Sequence, residues 1–341
     1  MLEEIRASGA VADENREIRR LYPKYKMRAL VRISFWKSKL RKSRLTAVKD
    51  DDCVGYALLK REYCPNHPRG PEYEDSWHVF EAVFSRPEHP HNYTPCDQQF
   101  HFALGGRQIH INGVLYGQQN GLNKVCAQVA LRSLCATYLR DAELTYSKIN
   151  QLAGGTAKYT PHGGLDKNQI RSVLTGLNIP FFDFDYTELA ESSKSPETQL
   201  PFQRIIYSGI ESGTGALLGF TMSGPDAGGL RHIIHCYGHT FNADTWAAVA
   251  DGDYFHVGEV IKHIPSDAWM SSFIAHDDNY GSNLCVPKTY LRADQANYAL
   301  LLLPMGFHYN GIYAEAAGSY YFSSLARIFH PFCKKLAKSP R

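Results

Sequence analysis

The spacing of apolar and polar positions changes character twice along this chain, near Tyr116 and near Pro180. Before Tyr116, short alternating runs of strand type are broken by turn-rich loops. Trp77–Phe84 is a strand candidate, and paired glycines at Gly105-Gly106 predict a hairpin joining Phe100–Leu104 to Gln108–Leu115. From Val125 to Leu139 the chain is rich in helix formers, with apolar residues at helical spacing. A second helix is predicted from Asp166, its N-cap, to Thr175, with Gly176 at its end. Beyond Pro180 the predicted elements are strands: Phe181–Tyr186, Arg204–Tyr207, Ala216–Met222, His232–Gly238, Ser271–Ala275 and Tyr298–Leu303. Helices followed by an antiparallel sheet give an α+β fold class.

Composition narrows this picture. With 44% hydrophobic and 21% charged residues the chain is globular, and 12% aromatics suit a sheet-rich fold. Its 341 residues allow two compact domains or one with extensions. The pattern divides as a helical, basic N-terminal extension (1–50), a smaller β-rich region (51–115), a main domain (116–305) and a C-terminal extension with a basic tail (306–341). No apolar run reaches the ~18 residues a spanning helix requires. The opening Met1-Leu2-Glu3-Glu4-Ile5-Arg6 lacks the order of a secretion signal. The eight cysteines are scattered without a C-x-x-C pair, so reduced thiols in a cytoplasmic protein are expected.

Two features invite a partner or a metal. Between Arg16 and Lys49, thirteen basic residues are opposed by Glu17 alone, a candidate surface for an acidic protein or nucleic acid. Asp50-Asp51-Asp52 follows at once, and a solvated, internally balanced face explains the run at least as well; a net charge of +3 creates no field demanding a polyanion. Cys64-Pro-Asn-His67, with His89 and His91, has metal-ligand types but no second half at matching spacing, so a turn before Pro68 and surface histidines are the expectation. No metal and no cofactor is implied.

The chemistry concentrates around Cys126. It opens a helix entered from the polar loop Gly117-Gln118-Gln119-Asn120-Gly121, where unpaired N–H groups and the helix dipole favour a thiolate. Cys135, nine residues on at about 100° each, lies on the opposite side and is expected in the core. A base is expected on a facing strand, and Arg231–His239 offers three histidines. Alternation places His232 and Cys236 on one face, His235 and His239 on the other. An orienting acid is available where the strand 269–275 runs into His276-Asp277-Asp278-Asn279-Tyr280-Gly281.

A Gln in a loop, Cys at a helix start, His on a strand ending in Gly and Asp after a further strand follow the order of papain-like cysteine peptidases. The sequence most resembles their bacteriocin-processing, double-glycine branch over residues 116–305. His232 and Gly238 match its His-to-Gly spacing, and Gly164-Leu165 has a counterpart. Asp277-Asp278-Asn279-Tyr280-Gly281 matches its Asp-Pro-x-x-Gly turn with Asp278 in place of Pro; Ala127 stands where the branch has Gly. The resemblance implies a papain-like core and a thioester acyl-enzyme, with Cys126 as nucleophile, His232 as base, Asp277 as orienting acid and Gln119 as oxyanion donor, Gln118 and Asn120 being close alternatives. The substrate would be a peptide or protein amide. The competing reading is an inactive papain-like binding module that uses the basic N-terminal region.

Overall fold

A computed structural model describes residues 1–7, 9–40, 48–85, 91–96, 98–122, 125–139, 143–154, 164–187, 201–221, 231–242, 255–257, 261–263, 266–290, 295–306 and 311–336. The fold is mixed α and β, with antiparallel sheets, compatible with the expected α+β class. The first sheet has the order β1-β2-β3-β4-β7-β6. Its strands are β1 (Leu2–Glu4), β2 (Lys26–Trp36), β3 (Cys53–Tyr63), β4 (Asp75–Phe84), β6 (Gln98–Leu104) and β7 (Arg107–Tyr116). The hairpin at Gly105-Gly106 forms as expected, both glycines at positive φ (57° and 81°).

The first sheet runs across residue 50. Strand β2 pairs with β3 from Lys26↔Tyr63 to Trp36↔Cys53, so residues 1–50 and 51–115 supply strands to one layer. Helix α1 (Gly9–Leu21) belongs to the same unit, its Ala10 and Val11 packed with Leu30 and Phe80. Four of the described arginines of the stretch are matched within the fold. Arg16 pairs with Asp13, Arg20 with Glu17, Arg28 with Asp75 and Arg32 with Glu3. Arg41, Lys42 and Arg44 lie outside the described residues.

The second sheet runs β14-β13-β10-β9-β15-β8, with the short β5 (Asn92–Tyr93) on the far end of β10. Its strands are β8 (Phe181–Asp185), β9 (Ala216–Thr221), β10 (Arg231–Phe241), β13 (Met270–Asp277), β14 (Gly281–Pro287) and β15 (Ala296–Leu302). A separate hairpin pairs β11 (Phe255–Val257) with β12 (Ile261–His263). Helices cover both faces. Leu217, Ile233 and Leu300 pack under α2 (Cys126–Leu139), with α3 (Tyr146–Leu152) and α4 (Lys167–Gly176) completing that layer. Asp166 caps α4 in a full capping box with Gln169.

On the other face, Leu218, Ile234 and Leu301 pack against α5 (Phe202–Glu211). A strand was expected at Arg204–Tyr207. The adjacent β-branched Ile205 and Ile206 suggest one, but the apolar set Phe202, Ile205, Ile206 and Ile210 has helical spacing and the segment is helical. The C-terminal extension forms one long helix, α6 (Gly311–Leu336). No described helix is long and apolar enough to cross a membrane.

Helix α2 joins the two sheets. Leu131, Leu134 and Cys135 are fully buried, as expected for Cys135. A buried helix normally carries apolar residues all round, yet α2 also buries Gln128, Arg132 and Ser133. They find partners on both sides. Arg132 binds Glu81 at 2.5 Å and Glu143 at 3.1 Å and lies over the Phe80 ring. Ser133 donates to the Leu115 carbonyl of β7 and touches His235 Nδ1 of β10 at 2.7 Å. Residue 116 therefore marks an interface and not a linker.

Candidate active site

The first residue of α2 is Cys126, and the Val125 carbonyl takes the first helical hydrogen bond from Val129. The N–H groups of this first turn have no intrahelical acceptor, and the Cys126 thiol beside them is half-buried. His232, second residue of β10, stands where the strand passes this helix end, and both His232 and Ile233 line the cleft there. The His232 imidazole lines the same cleft as the Cys126 thiol, which raises its affinity for a proton, and its Nε2 lies 3.1 Å from Asp277 Oδ1. The Asp278 Oδ1 is 3.5 Å from the same nitrogen.

The turn after β13 explains the position of Asp277. Its Oδ1 accepts the Asn279 N–H at 2.8 Å and the Tyr280 N–H at 3.2 Å, an Asx turn that fixes the carboxylate beneath the imidazole. The turn and the carboxylate that meets His232 are thus the same feature. Burial opposes ionisation of Asp277, but the His232 hydrogen bond and charge, with the two amides, hold it below the usual carboxylate range. Burial likewise opposes the imidazolium of His232. Hydrogen bonds with Asp277 and Cys126 and the charges of both aspartates outweigh it, pushing His232 up to about 10. Asp278 is buried with little to compensate, and burial pushes it up to about 6.

The other histidines of β10 go elsewhere. Burial drives His235 well below its ordinary value, and its Nδ1 is held by Ser133. His239 Nε2 contacts Glu211 of α5 at 2.8 Å. The expected shared face for His235 and His239 is therefore corrected: His235 faces α2 and His239 faces α5. A bulge between Cys236 and Gly238 inserts one residue and inverts the alternation beyond it.

The loop before α2 separates its three amide side chains. Gln118 Oε1 accepts the Val79 N–H at 2.8 Å, turning towards β4. Asn120 donates to Glu14 Oε1 at 2.9 Å and accepts the Leu122 N–H at 3.0 Å. Gln119 lines the cleft beside Cys126, its amide nitrogen donating to Asn279 Oδ1. Asn279 itself, with Nδ2 3.5 Å from His232 Nε2, was missed by sequence reading; the Asx turn was its only signal.

Behind this loop lies a buried ionic cluster that the sequence did not reveal. Lys60 Nζ contacts Glu14 at 2.5 Å and Glu62 at 2.7 Å, and Glu62 also meets His78 at 3.2 Å and the Tyr25 hydroxyl at 2.5 Å. Glu14, Glu62 and His78 lie close enough to hold a cation, as do His232, Asp277 and Asp278. Lys60 already supplies the positive charge in the first group and the imidazolium supplies it in the second, so neither set needs a metal. Of the histidines considered as ligands, His67 is buried in the turn after β3 and accepts the Arg69 N–H at 3.1 Å; His89 lies outside the described residues. Cys53, Cys64, Cys96, Cys126, Cys135, Cys236 and Cys285 are free thiols.

These residues open on a cleft of about 700 Å³, lined from both halves of the protein. Arg69 and Gln119 come from the N-terminal side, and Gly164–Asn168, Phe220, Arg231 and Tyr298 from the other. Set against known proteins, the chain matches no family model, no curated protein and no solved structure.

Proposed function

We propose that this protein is a cysteine hydrolase of papain-like type that cleaves a peptide or isopeptide amide through a thioester acyl-enzyme. The observation that carries the reading is the single imidazole of His232, which shares the cleft with Cys126 at a helix start and meets Asp277 on its Nε2. With Nε2 committed to Asp277, Nδ1 is left for the sulfur. The raised affinity of His232 for its proton favours a thiolate–imidazolium pair.

The Cys126 thiolate attacks the carbonyl carbon, forming the C–S bond and an oxyanion. The oxyanion is held by the Cys126 backbone N–H and the Gln119 amide, once that amide leaves Asn279. The C–N bond then breaks, and His232 gives its proton to the departing amine. Water attacks the thioester with His232 taking its proton, and the acid leaves as the thiolate is restored. Asp277 keeps the ring oriented and favours its cationic form throughout. Support for the inactive binding module is thinner, because the described arginines of the N-terminal stretch are largely engaged in ion pairs.

An activated ester tests the mechanism without a known substrate. Incubation with p-nitrophenyl acetate is expected to give a burst of nitrophenolate and an acetyl group on Cys126, seen by intact mass, that then disappears by hydrolysis. Cys126→Ala abolishes the burst. Absence of acetylation at Cys126 in the folded wild type contradicts the proposal.

A further inference from the structure

The segment Cys64–Gly70, set aside above as a turn, delivers a charge to the cleft. The His67 imidazole is buried and stacks on Tyr73, the Arg69 N–H donates to His67 Nδ1, and the Gly70 N–H donates to the His67 carbonyl at 3.0 Å. Burial and the neighbouring Arg69 lower the proton affinity of His67, which suits its role as acceptor. This brace lays the Arg69 guanidinium over Gly121, two residues from Gln119. A Cβ at Gly121 would stand 3.4 Å from Arg69 Cζ, and the positive φ of 71° already favours glycine there.

The charges lining the cleft are unevenly satisfied. Lys167 is held by Asp185, whose carboxylate also accepts the Thr187 hydroxyl at 2.6 Å. Asp166 is spent on capping α4, accepting the Gln169 N–H at 2.9 Å. Arg69 and Arg231 are both exposed, and among the described residues neither lies within ion-pair distance of a carboxylate. The charge of Arg69 reaches Asp278, buried behind His232, and partly offsets the burial that raises its proton affinity. Two guanidiniums with no carboxylate partner among the described residues thus line the same cleft as Cys126, each offering a planar fork that matches a carboxylate.

We propose that the cleft selects peptides bearing a carboxylate close to the scissile amide, with Arg69 and Arg231 as the residues that bind it. The inference rests on the hydrolase reading above. It also gives the N-terminal half a direct part in substrate recognition, since Arg69 follows β3.

Two alkylating agents of equal size and different charge separate the two ideas. The rates of Cys126 modification by iodoacetate and iodoacetamide are measured in the full chain, in wild type, Arg69→Gln, Arg231→Gln and the double variant. The iodoacetate-to-iodoacetamide ratio is expected to fall roughly threefold per arginine and about tenfold for both. Any change in the state of the thiol alters both rates alike and cancels in the ratio, and the difference between the two agents should shrink with added salt. A short peptide containing Glu should protect Cys126 from iodoacetamide better than its Gln analogue, and lose that advantage in Arg69→Gln. A ratio unchanged in the double variant, or equal protection by both peptides, overturns the inference while leaving the hydrolase reading intact. Slow iodoacetamide reaction indifferent to His232→Ala overturns that reading and the inference with it.

Discussion

Glu14 and Asn120 are 106 residues apart in sequence and joined by a 2.9 Å hydrogen bond. Through it the ionic cluster around Lys60 grips the loop that presents Gln119 to the cleft. The same loop is tied by Gln118 to β4 and by the Leu122 carbonyl to the Tyr22 hydroxyl. Asn120→Ala removes this anchor and leaves Glu14 one partner short, at a cost of about 1–3 kcal/mol. The acylation burst should slow, whereas alkylation by iodoacetamide, which develops no oxyanion, should not. Denaturant unfolding with both kinetic assays checks this.

The division of labour among the loop amides is testable directly. Gln119→Ala is expected to lower the acylation rate by roughly 10²–10³ at little cost in stability. Gln118→Ala should behave in the opposite way, keeping near-normal chemistry while losing a β4 contact worth about 1 kcal/mol. Burst kinetics and thermal melts on the two variants distinguish them.

Asp278 makes a pH-dependent prediction. Its folded affinity for a proton is raised, to about 6 from 3.8, so its favourable contribution to stability is complete below 3.8 and is lost as pH rises through about 6. Asp278→Asn removes that loss, and the variant should gain about 1–3 kcal/mol over wild type at neutral pH. The gain should vanish in acid. It should also weaken the hold on the His232 proton, moving the upper limb of the reactivity profile to lower pH. Unfolding curves across pH measure the first effect and alkylation the second.

Lys60 is wholly buried between Glu14 and Glu62. Lys60→Met leaves two buried carboxylates facing each other and should destabilise by about 3–5 kcal/mol. A fragment of residues 116–305 alone should fail to melt cooperatively, because Arg132 and Ser133 of α2 would lose Glu81 and Leu115. Calorimetry on both tests whether the N-terminal half is integral.

The sequence was most legible where local rules govern. The Gly105-Gly106 hairpin, the Asp166 cap and the helix opening at Cys126 are each written within a few residues. The Cys126–His232–Asp277 order could be read because each residue sits at an element boundary with its own signature. What escaped depends on partners distant in sequence or on a single inserted residue. Glu14–Asn120 and Lys60–Glu62 are contacts between elements, and nothing local announces that a Lys in a strand will be buried. The bulge at Cys236–Gly238 defeats alternation, and the helical spacing of Phe202–Ile210 was masked by two β-branched neighbours. The cleft-facing role of Arg69 depends on His67, which in sequence resembles a stray metal ligand.

The most direct test of the central claim is the pH profile of Cys126 alkylation by iodoacetamide, read by peptide mass spectrometry in wild type and His232→Ala. His232 holds its proton up to about 10, so an imidazolium stands ready beside the Cys126 sulfur across the neutral range. The account predicts fast alkylation already at about pH 6, below the range where a free thiol ionises, and loss of that reactivity in the variant. A slow wild-type reaction that rises only in the range of an ordinary thiol, and is indifferent to His232, would contradict it.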